Sequence, residues 1–261
     1  MRLETKVRSK VETIMLAAAI ASLTFTQYFF AFTDPVLGIL SALASVTALY
    51  LTLSLLNKDI SQPSRESIEL ICLLQIYTLL ISSLPWFFIS QELLIPATYS
   101  ILLALCLWHI RDSSLTFEEM GFRGSRLKYI IVAAVTGVLL GAIEYQILRP
   151  PPPTPTFSIT YFLRTALYML IFVGFVEELL FRGMLMASLE KHMNQRTALI
   201  LQSAIFAVLH ITWRLIIEII FVFIAGIIFG LLLRKSGSLI PPAIAHGVGN
   251  IVLLSVFPFI T

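Results

Sequence analysis

The sequence predicts an all-α fold, a polytopic transmembrane bundle of about eight to nine helices. Three observations carry this. Hydrophobic residues make up 58% of the chain against 13% charged, and mean hydropathy is +0.92. Apolar runs of roughly 20 residues, enough to cross a bilayer core about 30 Å thick, recur along most of the 261 residues. Soluble domains are about a quarter charged, so water is not this chain's main solvent. A net charge of +3 with cations in short loops points to membrane orientation, and no nucleic-acid partner is expected.

The helices are expected near 11–33, 35–56, 66–89, 93–110, 127–148, 159–191, 197–213, 215–233 and 238–259. Behind the basic start (Arg2, Lys6, Arg8, Lys10), the run from Ile14 to Phe32 is too long for a signal-peptide core and reads as a retained helix. Asp34-Pro35 separates the first pair, Pro63-Ser64 sits in the next loop, and Pro96 bears on the start of the fourth helix. The sequence Pro150 to Pro153, followed by Pro155, makes a stiff connector that cannot be helical. Cys72 and Cys106 lie in apolar stretches and lack both disulfide and metal-ligand spacing, so both are expected to pack.

A cytoplasmic N-terminus puts Lys58, Arg65, Arg111, Arg123, Arg126, Lys128, Lys191, Arg196, Arg234 and Lys235 on the inner face. The outer loops then hold little beyond Arg149 and Arg214, and the chain is expected in the plasma membrane. The segment Thr116 to Lys128 reads as an inner-face loop or surface helix. It divides N-terminal helices (1–115) from a part that carries the chemistry (116–261).

An ionisable residue at mid-bilayer costs at least about 2.5–3.5 kcal/mol, which makes it a functional candidate by default. The sixth stretch reads Gly174-Phe-Val-Glu177-Glu178-Leu-Leu-Phe-Arg182-Gly183. Glu178 and Arg182 share a helix face and can pair, while Glu177 points about 100° away, toward a cavity. Phe206-Ala-Val-Leu-His210 follows on the seventh helix, and His246-Gly-Val-Gly-Asn250 puts two polar groups on one face of the ninth. A hairpin turning at His192 to Gln195 sets Glu177 level with His210, each about 21 Å from the turn, and His246 lies about 13 Å past Gly237. Gly226-Ile-Ile-Phe-Gly230 allows close helix approach. Glu218 is expected to pair with Arg214, and Glu144 is a weaker site candidate near a helix end. Phe181 and Phe206 are expected to pack.

Taken in order, Glu177-Glu178-x-x-Phe181-Arg182-Gly183, Phe206-x-x-x-His210 and His246-x-x-x-Asn250 resemble the CAAX-processing and bacteriocin-immunity family of intramembrane endopeptidases. The Ras-converting CAAX protease is its best-known branch. The resemblance covers roughly Thr160 to Pro258, with Gly121-Phe-Arg123 also similar, and the first four helices match no motif. It implies a glutamate-dependent protease with Glu177 and His210 activating a water, His246 and Asn250 stabilising an oxyanion, and Glu178 and Arg182 supporting the site. The substrate would be a lipidated or transmembrane peptide, and no cofactor is expected. Two alternatives stand beside this. Glu177, His210 and His246 could hold a zinc whose bound water attacks, or the chain could be a non-proteolytic scaffold, immunity factor or transporter-like protein.

Overall fold

The structure, a computed structural model, describes residues 2–83 and 89–260. Among the described residues every regular element is helical. We number them α1 (Arg2–Phe32), α2 (Pro35–Leu55), α3 (Gln62–Ser83), α4 (Leu94–Asp112), α5 (Leu127–Leu148), α6 (Ile159–Glu190), α7 (Gln195–Val208), α8 (Ile216–Ser236) and α9 (Ile240–Ile251). Eight of these segments, some with their short helical extensions, are long and apolar enough to span a membrane, which makes this a multi-pass membrane protein. The ninth, α3, is 22 residues long but carries Arg65, Glu66 and Glu69 in its first turns. Of the stretch expected over 66–89, residues 84–88 lie outside the described residues.

Local chemistry sets the helix starts. Asp34 accepts the Val36 N–H ahead of Pro35 at the first helical position, and the Ser158 and Asn194 side chains cap α6 and α7 through Tyr161 and Thr197 N–H groups. At the α8 end, Gly237 takes the left-handed conformation with φ of 67°. The proline-rich connector is non-helical and follows Arg149, itself left-handed. The segment from Thr116 forms turns, not a surface helix; Gly121 accepts the Leu239 N–H at 2.9 Å and so ties this loop to the start of α9.

Two features depart from regular α-helices. The α6 run is continuous but widens into π-helical turns over Met169–Gly174 and Leu179–Met186, leaving one α-turn, Phe175–Glu178, between them. Such wide turns recur at functional sites. The helix expected over 197–213 ends as an α-helix at Val208, and a 3₁₀ turn, Ile211–Trp213, leads into left-handed Arg214.

Backbone contacts at glycines fix how the helices cross. A Cβ on Gly137 or Gly141 of α5 would lie 2.5 or 2.3 Å from the α9 carbonyls of Ala245 and Gly249, and one on Gly174 of α6 would lie 2.7 Å from Ala243 O. Helix α9 is thus held backbone to backbone between α5 and α6. Gly226 and Gly230 of α8 meet Ser203 and Leu199, which docks α8 on α7. The buried apolar core is continuous, from Met15 and Leu23 of α1, through Leu74 and Cys106, to Leu180, Phe206 and Ala245.

Candidate active site

The glutamate pair stands on the single α-turn between the two wide segments of α6. Glu178 and Arg182 are both 0% exposed, and Nη1 of Arg182 lies 2.8 Å from Glu178 Oε1. Burying two charges in an apolar bundle requires compensation, here incomplete, since Glu178 Oε2 and Arg182 Nε have no hydrogen-bond partner among the described residues. Arg182 finds it from the Gly226 carbonyl at 3.2 Å, and its guanidinium lies 4.4 Å from the Phe206 ring centroid and 5.3 Å from that of Phe229. Phe181 and Phe206 pack edge to face at 4.9 Å.

Glu178 has a second partner that helix periodicity does not reveal. His246 Nδ1 lies 2.9 Å from Glu178 Oε1, and a carboxylate only accepts, so Nδ1 carries the proton. The His246 ring stacks on Phe229, with centroids 5.3 Å apart and planes at 16°, and its Nε2 lies 3.8 Å from Glu177 Oε2. Arg182 and Glu178 of α6 and His246 of α9 therefore form a chain across two helices that aims the imidazole at Glu177. The other carboxylate oxygen, Oε1, accepts the Tyr99 hydroxyl of α4.

His210 occupies the turn just after α7, where last-turn carbonyls lack helical partners. Its Nδ1 donates to Phe206 O at 3.0 Å, which leaves Nε2 as an acceptor. This bond fixes the ring although the helix has ended. Glu177, His210, His246 and Asn250 all line one cavity of about 270 Å³. A second cavity of about 440 Å³, walled by Gln27 of α1, Tyr77 of α3 and Leu102 of α4, reaches the same place and shares Tyr99, Glu177 and His210 with the first.

Two outlying acids behave differently from their sequence readings. Arg214 and Glu218 form no ion pair, because the left-handed residue at 214 turns the chain before α8 begins and breaks the one-turn spacing. Glu218 is fully buried with no hydrogen-bond partner at either carboxylate oxygen among the described residues, and Glu144 lines the first cavity. Among the described residues no group of three or more His, Cys, Asp or Glu side chains is placed to hold a metal ion.

Sequence reasoning missed Tyr99 and the Glu178–His246 bond. Both are contacts between distant helices and leave no spacing signal. Cys72 and Cys106 are buried, unpaired thiols.

Residues 156–252 match the family model of Rce1-like proteins, described as type II CAAX prenyl endopeptidases. No curated protein matches the chain. No solved structure matches it either. The matched segment contains Glu177, Glu178, Arg182, His210, His246 and Asn250. It supports a CAAX-type membrane protease in general terms, with a bilayer around it and a membrane-associated substrate. The family resemblance carried by the motifs is therefore borne out: residues 156–252 are similar to the Rce1-like, type II CAAX prenyl endopeptidase family.

Proposed function

We propose that this protein is an intramembrane endopeptidase that hydrolyses a peptide bond of a lipidated or membrane-embedded substrate. The observation that carries the reading is the meeting of Glu177, His210, His246 and Asn250, from three separate segments, on one cavity inside an apolar bundle. Glu177 accepts a proton from a water whose other hydrogen is held by His210 Nε2, and the water oxygen attacks the peptide carbonyl carbon. The carbonyl oxygen becomes an oxyanion that accepts from His246 Nε2–H and the Asn250 amide. Collapse breaks the C–N bond, and the leaving amine takes the proton from Glu177.

This scheme puts a demand on His246. Its Nδ1 proton is committed to Glu178, so donation from Nε2 requires a second proton and a cationic ring. Glu177, Glu178, Arg182 and His246 then sum to zero charge, the state a low-dielectric interior favours. Residues 116–261 carry the chemistry in this reading. The N-terminus lies in the cytoplasm of a plasma-membrane protein, as the loop cations suggest.

The test uses purified protein in lipid vesicles and a quenched fluorescent peptide ending in a prenylated Cys-aliphatic-aliphatic-X sequence. Glu177→Ala and His210→Ala should insert and fold normally yet cleave at least about a thousandfold more slowly. Wild-type cleavage by either variant contradicts the proposal. Metal analysis accompanies the assay, and stoichiometric zinc lost together with activity on chelation would replace the metal-free mechanism by a zinc one.

A further inference from the structure

Helix α4 lies outside the family-matched segment, yet its Tyr99 hydroxyl donates to Glu177 Oε1. The half-buried phenol stands where the two cavities meet and borders both. Its ring is set by Tyr77 of α3, with centroids 6.3 Å apart, so two N-terminal helices fix where the hydroxyl points. The two oxygens of Glu177 consequently have different neighbours. Oε1 is taken by Tyr99, and Oε2 faces His246 Nε2 at 3.8 Å. A carboxylate on a flexible two-carbon stem, held at one oxygen, can present only the other in a defined direction.

We propose that Tyr99 is a positioning residue for Glu177, fixing its carboxylate so that Oε2 is the oxygen that works on the substrate side. The N-terminal helices thereby belong to the active site and are more than a membrane anchor. The proposal rests on the reading of Glu177 as the base, and it concerns orientation alone, with no chemical step at the phenol.

The test compares wild type, Tyr99→Phe and Glu177→Gln in lipid vesicles by infrared spectroscopy with ¹³C-labelled glutamate. The carboxylate band absent from Glu177→Gln belongs to Glu177, and Tyr99→Phe should shift its frequency by removing the donor. With the quenched prenylated peptide, Tyr99→Phe should lower kcat by about ten- to a hundredfold while KM stays within about twofold, because a misdirected group costs rate before binding. An unmoved band, or a kcat within about twofold of wild type, overturns the proposal. Failure of the parent reading looks different. Glu177→Gln cleaving like wild type removes the base itself, and a wild type that leaves the peptide intact refutes the probe's substrate class, with the band then deciding the Tyr99 contact.

Discussion

Arg182, Glu178 and His246 are one unit in this protein, and the unit explains why two adjacent glutamates occur where one base would do. Glu178 is wholly buried and spends one oxygen on both Arg182 and His246, whereas Glu177 is partly open to the cavity. Removing one partner of such a pair strands a charge, so Arg182→Ala should cost roughly 3–5 kcal/mol, measured as a loss of unfolding free energy in detergent. Unchanged unfolding would show that Glu178 is held by other groups. In the proposed mechanism, Asn250→Ala should reduce kcat by about 10²–10³ with little change in KM, the usual loss for one oxyanion donor. A fall in KM-determined binding with normal kcat would instead make Asn250 a ground-state contact. Equal spacing in sequence put Glu178 with Arg182 and His246 with Asn250 in advance. The Glu178–His246 bond joins residues 68 apart, and no local periodicity encodes it.

At the scale of elements, hydrophobic run length made the helices legible, because backbone groups in a bilayer must be satisfied within the segment. Bounds such as 127–148 for α5 coincide with the observed helix. Irregular turns were not legible, since Met169–Gly174 and Leu179–Met186 contain no proline and read as a continuous helix. His210 was read as lying within a helix and instead sits on the turn beyond Val208. The glycine contacts give a sharp prediction here. Gly226 and Gly230 stood out in the sequence, but Gly137 and Gly141 make the closer backbone approach, to α9. Gly141→Ala should destabilise the fold by about 1–3 kcal/mol and lower the yield of folded protein by size-exclusion chromatography, because its Cβ meets a carbonyl and not a movable side chain. Gly124→Ala, with open space at its Cβ, should behave as wild type. Equal behaviour of the two variants would refute backbone packing between α5 and α9 as the device that places His246.

Across the whole molecule, the N-terminal helices and the chemistry-bearing half share one core and are also stitched together at the turn between α6 and α7. There His192 Nε2 and the Ser67 hydroxyl of α3 are 2.9 Å apart, and Ser67 also pairs with Ser188 at 2.9 Å. Burial of the imidazole holds its proton affinity below the ordinary histidine range, with nearby Glu12 of α1 opposing the shift in part. The folded group therefore disfavours the proton relative to the unfolded one. The resulting stability is present above about pH 6.5 and is lost as pH falls below it. Thermal unfolding should occur at lower temperature at pH 5.5 than at pH 7.5, and His192→Gln should flatten that dependence. An identical pH slope in the variant would place the sensitive group elsewhere. Composition alone disclosed the membrane bundle, and three motifs in order disclosed the family. The contribution of α4 to the site stayed hidden because Tyr99 sits in the weakly polar run Thr98-Tyr99-Ser100 with no motif around it.

In the proposed mechanism Glu177 activates water for peptide-bond hydrolysis inside the membrane. The most direct test of this role is a comparison, by mass spectrometry, of membrane-derived peptides from cells producing wild-type protein and cells producing Glu177→Ala at the same level. Glu177 as the base predicts a set of new peptide termini, from lipidated or membrane-embedded proteins, present with the wild type and absent with the variant. Identical termini in the two samples would contradict it.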